Sequence, residues 1–133
     1  MTTEQASELL GREVDPGTEW GLGNLVSCNY LHSDDVAVHV QFVTCGNQNQ
    51  YLADNFGKEA LMTGGVMQPI HGFPANAGIA NKDHNYELNV VLPDRLIVLI
   101  VDGTKRDDIV PAMIAAMQKM LPSVKPMPPK PCA

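Results

Sequence analysis

The sequence predicts an α+β domain with a mostly antiparallel sheet of about five strands and helices packed on one face. An alternating segment at 86–92 is followed by an unbroken apolar segment at 96–101, and Pro93-Asp94 separates them. This arrangement is typical of a β-hairpin. A second alternating segment at 36–44 and an amphipathic stretch at 107–121 complete the pattern. The expected order of elements is α-β-β-α-β-β-β-α.

A short helix is predicted over residues 2–10. Its start can be capped by Thr2 with Gln5, which have the spacing of a capping box, or by Thr3 before Glu4. Gly11 follows directly, and glycine readily adopts the left-handed conformation that ends a helix. The apolar side of this helix consists of Ala6, Leu9 and Leu10.

The next part of the chain is expected to be a loop followed by a β-hairpin. Residues 12–24 are rich in glycine and contain Trp20, an indole that either closes the edge of the core or serves as a ligand platform. Residues 25–31 and 36–44 are expected to form two strands. Their turn lies at 32–35, where Ser and Asp side chains can bind nearby backbone amides.

The second strand of this hairpin alternates strictly between two kinds of residue. Its apolar positions, expected on one face, are Val36, Val38, Val40 and Phe42. Its other positions, expected on the opposite face, are Ala37, His39 and Gln41. Such alternation is typical of a strand with one face toward the core and the other solvated or lightly covered.

A second helix is predicted over residues 46–65, with Asn47 as its N-cap. Its apolar positions recur every four residues and are Leu52, Phe56 and Ala60. The segment that follows is less regular. Short strands are expected at 66–70 and from Ile79, with a turn at 81–84 before the second hairpin.

The last strand and a terminal helix close the predicted domain. The apolar run at 96–101 is expected to be a central strand that is covered on both faces. Asp107 is expected to cap the following helix, with Pro111 in the first turn, where a missing N–H is harmless. The sequence thus predicts one domain over 1–122 and an extended, proline-rich tail over 123–133.

Composition and charge exclude several classes of protein. Of 133 residues, 44% are hydrophobic and 18% are charged, which is typical of a folded domain. The net charge is −6 and the nine Lys and Arg residues form no cluster, which argues against a nucleic acid partner. No apolar run approaches the about 20 residues of a membrane span, and no signal-peptide pattern is found. The chain is therefore expected to be either cytosolic or a mature extracytoplasmic domain.

The three cysteines leave their redox state open. Cys28, Cys45 and Cys132 include no CxxC pair, so neither a structural zinc site nor a thioredoxin-like site is expected. Three free thiols fit a cytosolic protein, whereas a secreted protein is expected to pair two of them. A bridge from Cys132 to Cys45 or Cys28 would tether the tail. Cys45 is favoured because it lies at a strand end, and the chain-entropy model gives such a long loop roughly 4 kcal/mol.

No arrangement typical of catalysis or metal binding is found. The four histidines are His32, His39, His71 and His84, and no two of them have the i, i+4 spacing of a helical metal site. There is no G-x-S-x-G motif, and a dyad of Cys28 with a histidine has no support beyond residue type. The sequence therefore predicts a protein that is not an enzyme and that uses no metal and no cofactor.

The polar side of the first hairpin is the candidate binding surface. Asn29, His39 and Gln41 are expected on this side, and Trp20 and the tail at 123–133 are expected to contribute to the same surface. A merely exposed strand residue is the simpler explanation of His39, but together these side chains can hydrogen-bond a partner.

A resemblance narrows the choice of function. TEQASELLG at 3–11, VSCNY at 26–30 and Gly72-Phe73 with Ala77, followed by two strands and a helix, resemble small bacterial extracytoplasmic lipoprotein and sensor-type domains, best known in actinobacteria. This resemblance implies a non-enzymatic binding or accessory role without catalytic residues. The chain lacks the lipobox and the early cysteine of such domains. The order of elements also resembles that of type III secretion chaperones, whose leucine-rich stretches are not found here.

We therefore expect a non-enzymatic extracytoplasmic domain, secreted or held in the cell envelope, that binds a protein or an envelope component. The alternative is a cytosolic adaptor, such as a secretion chaperone or an immunity-type protein, that holds one partner by an edge strand or helix. This alternative predicts three free thiols and a homodimer or a tight heterodimer.

Overall fold

The structure, a computed structural model, describes residues 1–23, 25–44, 48–60, 62–73 and 76–125. The strands are β1 (Thr18–Leu22), β2 (Leu25–His32), β3 (Asp35–Val43), β4 (Gln68–Pro69), β5 (Ala77–Lys82), β6 (Asn85–Val91) and β7 (Leu96–Val101). The helices are α1 (Thr3–Leu10), α2 (Gln48–Asn55) and α3 (Ile109–Met120), and a 3₁₀ turn, Leu121–Ser123, follows α3.

All seven strands form one antiparallel sheet in the order β1-β2-β3-β7-β6-β5-β4. The predicted α+β class with an antiparallel sheet is confirmed, but the sheet has seven strands where about five were expected. The last strand in the chain, β7, lies in the middle of the sheet, and all six of its residues are buried. This confirms the prediction that an unbroken apolar run forms a strand covered on both faces.

Helices lie on both faces of the sheet, so the prediction of a single helical face is wrong. On one face, α1 and α3 pack against alternate residues of the central strands, among them Leu88 and Leu99. On the other face, Leu52 of α2 belongs to a second cluster with Val98 and Ile100. The two faces are distinct because successive residues of a strand point to opposite sides.

The start and end of α1 and the turns of the hairpins agree with the predictions from sequence. Thr2 and Gln5 form the expected capping box, and Gly11 ends α1 with a φ of 82°. The turn between β2 and β3 has positive φ at Ser33 and Asp34, as suits a two-residue hairpin loop. Asp83 and His84 form the same kind of turn between β5 and β6, with φ values of 51° and 69°.

The terminal helix starts one residue later than expected. Its N-cap is Asp108 rather than Asp107, and the Asp108 side chain caps no backbone N–H. The carboxylate instead accepts hydrogen bonds from Nε and Nη2 of Arg106, at 2.9 and 2.8 Å. The predicted apolar stripe is confirmed, since Ile109, Met113 and Met117 are buried.

The second helix is much shorter than predicted. It ends at Asn55, and Gly57 follows with a φ of 78°, a left-handed conformation that stops the helix. The chain then turns back, and Glu59 forms an isolated bridge with Val66. The apolar spacing misled the prediction because Phe56 and Ala60 pack against the second cluster from outside the helix.

Two further differences concern the first half of the sheet. The region 12–24, expected to be a loop, contains β1, which pairs with β2 along its whole length. In β3 a bulge interrupts the alternation: Tyr30 pairs with Val38 and Leu31 pairs with Val36, so that Ala37 is the extra residue. Val36 therefore leaves the core face and is 37% exposed.

The described residues that follow α3 remain in contact with the rest of the domain. Val124 packs against the apolar cluster beneath α1 and α3. The backbone carbonyl of Lys125 accepts a hydrogen bond from Arg95. Arg95 belongs to the link between β6 and β7, so this contact joins the start of the tail to that hairpin. The rest of the predicted tail, 126–133, lies outside the described residues.

Candidate functional site

Two neighbouring rows of side chains cross the face of the sheet that carries α2. One row runs from Thr18 through Asn29 and His39 to Ile100 and Glu87. The next row runs through Trp20, Ser27, Gln41, Val98 and Asn89. Directly paired residues of antiparallel strands share a face, so all four residues of the predicted binding surface lie on one side.

The part of this face on β1, β2 and β3, here called the polar face, comprises Thr18, Trp20, Ser27, Asn29, His39 and Gln41. Trp20 is 51% exposed, whereas Asn29, His39 and Gln41 are half-buried. Ser27 is buried between its neighbours and donates a hydrogen bond from Oγ to Oδ1 of Asn29 at 2.7 Å. The apolar cluster beneath α2 contains no described residue of β1 or β2.

His39 has a carboxylate partner at the end of the central strand. Its Nε2 lies 3.4 Å from Oδ2 of Asp102, the residue after β7. The backbone N–H of Asp102 donates to the carbonyl of Ala37 at 2.8 Å, which fixes the position of the carboxylate next to β3. A carboxylate at this distance can orient the imidazole ring.

Sequence reasoning missed the buried carboxylate Glu87 and its neighbour Asn89 as parts of this face. Their polar alternation in β6 was visible, but it indicated a solvated side of the strand. In the structure Glu87 is 6% exposed and Asn89 is 3% exposed, with Met67 lying over Asn89. The cover comes from a distant segment, and no local pattern predicts it.

Glu87 has an unusual electrostatic environment. Nδ2 of Asn89 donates to its Oε2 at 2.7 Å, while its Oε1 is buried and has no partner among the described residues. Burial raises the pKa of Glu87, and the hydrogen bond from Asn89 opposes this shift. The negative charge of Asp102 raises this pKa further, and His39 lowers it. The buried carboxyl group is therefore electrostatically linked to the polar face.

The structure describes one of the three cysteines, Cys28. Among the described residues Cys28 is a free thiol, and it lies on the opposite face of β2. The alternative bridge between Cys132 and Cys28 stays a prediction, because Cys132 lies outside the described residues. Cys28 lies beside Tyr30, where burial and the neighbouring thiol raise the pKa of the phenol. Cys45 and Cys132, the favoured pair, both lie outside the described residues.

Two surface grooves lie away from the polar face. One, of about 500 Å³, is lined by residues of α1 and α3, such as Leu9 and Lys119. The other, of about 640 Å³, lies at one end of the sheet near Phe73 and Pro93. None of the four predicted binding residues lines either groove.

The described side chains supply no preformed metal site. Among them, no three His, Cys, Asp or Glu residues are grouped to hold a metal ion. No helix within the described ranges is both long and apolar enough to cross a membrane. The polar face can therefore form hydrogen bonds through its amides, hydroxyl and imidazole, and stacking contacts through its indole.

Comparisons of the chain with protein-family models, with curated proteins and with solved structures found no match.

Proposed function

We propose that this chain is a non-enzymatic binding domain that contacts a protein or a cell-envelope component through the polar face. The observation that carries the proposal is the alignment of Trp20, Asn29, His39 and Gln41 in two adjacent rows on one side of the sheet. Three different strands supply these side chains, and the hydrogen-bonded sheet holds them in fixed relative positions.

The chemistry of the polar face favours an uncharged ligand that is rich in hydroxyl groups, such as an envelope glycan. An exposed indole offers a flat apolar surface on which a sugar ring can lie, and neighbouring amides can bind its hydroxyls. The face contains no Lys or Arg, the residues that anionic ligands require. The acidic groups beside it are Asp102, which lies next to His39, and the buried Glu87.

We place the domain outside the cytoplasm, secreted or in the cell envelope, in keeping with the resemblance of its sequence to extracytoplasmic domains. The alternative, a cytosolic adaptor, is favoured by the free thiol of Cys28. The adaptor would hold its partner by an edge strand rather than by the polar face.

The proposal is tested by binding to insoluble cell envelopes from the host cell, before and after digestion with protease. Wild-type protein is expected to sediment with both preparations if the ligand is a glycan, and with the untreated one alone if it is a protein. The double variant Asn29→Ala, Gln41→Ala is expected to lose at least about tenfold in affinity, since it removes two hydrogen-bonding groups.

Two control variants test whether binding depends on the polar face rather than on other parts of the surface. Tyr51→Ala removes a 50% exposed aromatic side chain from α2, and Val26→Ala alters the opposite face of β2. Both should bind as the wild type does. Equal binding by the double variant and these controls would overturn the assignment of the polar face.

A further inference from the structure

The two edges of the sheet differ in how open they are. The β4 edge has two residues, and one of them is Pro69, which has no N–H to donate to a further strand. The β1 edge, Thr18–Leu22, has five residues without Pro, Lys or a bulge in its pairing with β2. No described strand pairs with its outer side. Natural sheets usually protect such an edge, because its free N–H and C=O groups can pair with another chain.

The sequence of β1 is complementary to itself in an antiparallel register centred on Trp20. In this register Trp20 lies opposite the partner's Trp20, and Glu19 lies opposite the partner's Gly21. No like charges face each other, and an aromatic pair occupies the centre, where cross-strand aromatic contacts stabilise a sheet. The space around Gly21 can accommodate the neighbouring side chain, because even a Cβ on Gly21 would have its nearest contact at 3.5 Å.

We propose that two copies of this chain associate through their β1 strands and form one continuous antiparallel sheet. Residues that lie directly opposite each other share a face, so the polar faces of both copies lie on the same side. The two Trp20 indoles then form the centre of a two-fold symmetric surface, with Ser27 and Gln41 of each copy on either side. This proposal goes beyond the proposed function, and it requires no ligand.

The association is weak and depends on concentration. A single five-residue edge buries less than the roughly 1,000 Å² that a stable interface needs. The wild-type protein is expected to shift from monomer to dimer across the concentration range of a sedimentation velocity experiment. The chain contains one Trp, and its fluorescence is expected to shift to the red on dilution, as the indole becomes more exposed to water.

Charge substitution at the centre of the register provides the decisive test. Trp20→Lys and Trp20→Glu each place like charges opposite one another, so each variant is expected to raise the dissociation constant at least about tenfold. An equimolar mixture of the two is expected to recover a dimer, because Lys then lies opposite Glu. Trp20 is half exposed, so neither variant should disturb folding, and circular dichroism checks this.

Tyr51→Lys is the matched control, since it changes an equally exposed aromatic residue on α2 and should dimerise as the wild type does. A wild type that stays monomeric, with no change in Trp fluorescence on dilution, would overturn the proposal. Dimers that persist in both charged variants would do the same. These measurements need no ligand, so their failure is distinguishable from a failure of the Asn29 and Gln41 variants to affect envelope binding.

Discussion

The side-chain amide of Asn89 donates to Glu87 at 2.7 Å and leaves the second carboxylate oxygen of Glu87 without a partner among the described residues. A buried carboxylate that is satisfied on one side destabilises the fold when it is ionised. The same group is neutral and can donate a hydrogen bond when it is protonated. Folding stability is therefore coupled to the protonation of Glu87.

We predict that Glu87→Gln stabilises the protein at pH 7, by on the order of 1 kcal/mol, because it removes a buried charge while keeping the shape of the side chain. The folded pKa of Glu87 is raised by burial, so the native state binds more protons than the unfolded chain. Wild-type stability should thus fall as the pH rises from the unfolded pKa, about 4.3, through the raised folded value. Urea unfolding at several pH values between about pH 4 and about pH 8 measures how the free energy of unfolding changes with pH.

The matched control for this prediction is Glu13→Gln, since Glu13 is exposed before β1. It should leave the pH dependence of the wild type unchanged, whereas Glu87→Gln should flatten it. A Glu87→Gln variant that is less stable than the wild type at pH 7 would contradict the prediction.

We predict that Tyr30→Phe weakens the attachment of the N-terminus. The Tyr30 hydroxyl donates to the backbone carbonyl of Met1, so the variant should lose about 1 kcal/mol in the free energy of unfolding. Hydrogen exchange should show faster opening of α1, while β7 keeps its protection. Unchanged exchange in α1 would show that this hydrogen bond does not hold the helix.

We also predict that the protein loses stability in alkaline solution because of the Tyr30 phenol. Its folded pKa is raised, mainly by burial, so ionisation of the phenol is disfavoured in the native state. The stability of the wild type should therefore decrease as the pH rises past the unfolded value of about 10. Tyr30→Phe should lack this contribution, and thermal unfolding of the two proteins at neutral and alkaline pH checks the difference.

We predict that Gly65→Ala is strongly destabilising and that Gly21→Ala is not. A Cβ at Gly65 would lie 2.7 Å from the backbone nitrogen of Asn81, and backbone cannot move away cheaply. We expect a loss of about 1–3 kcal/mol, as for an overpacked core. At Gly21 the nearest atoms lie at 3.5 and 3.7 Å, which is ordinary contact. Thermal unfolding of both variants is the measurement, and equal stability would contradict the close approach of Gly65 to β5.

We predict one disulfide, between Cys45 and Cys132, in the protein isolated from its own compartment. Alkylation of free thiols in the denatured, unreduced protein should modify Cys28 alone, and intact mass with and without reduction counts the remainder. One bridge would support the extracytoplasmic placement. Three alkylated cysteines would exclude the bridge and favour the cytosolic adaptor.

The sequence predicts those features that depend on neighbouring residues. The capping box of Thr2 and Gln5 is complete within one helical turn, and the apolar run of β7 carries its own signal. Likewise, the alternation in β3 places His39 and Gln41 on one face, on the C-terminal side of the bulge. Such signals are short in range and need no knowledge of the rest of the chain.

Features that depend on distant contacts were predicted poorly. The strand β1 contains Gly21 and has little apolar character, and it forms because β2 offers a pairing edge. Phe56 and Ala60 satisfy the apolar spacing of a helix although Gly57 has already stopped it. The burial of Glu87 depends on the chain around Met67, which packs over β6 from outside the sheet. Tertiary contacts thus override local preference at each of these positions.

The position of β7 has a consequence for the order of events during synthesis. The strands β1 to β3 emerge first as one meander, and β4 to β6 emerge later as another. Neither can join the other until Leu96–Val101 has been made, because β7 lies between β3 and β6. A nascent chain that is arrested before Leu96 therefore contains two separate half-sheets. The inner edge strand of each, β3 or β6, is unpaired and can pair with other chains. The ribosome must deliver the chain as far as Val101, of 133 residues, before its most apolar strand closes that gap.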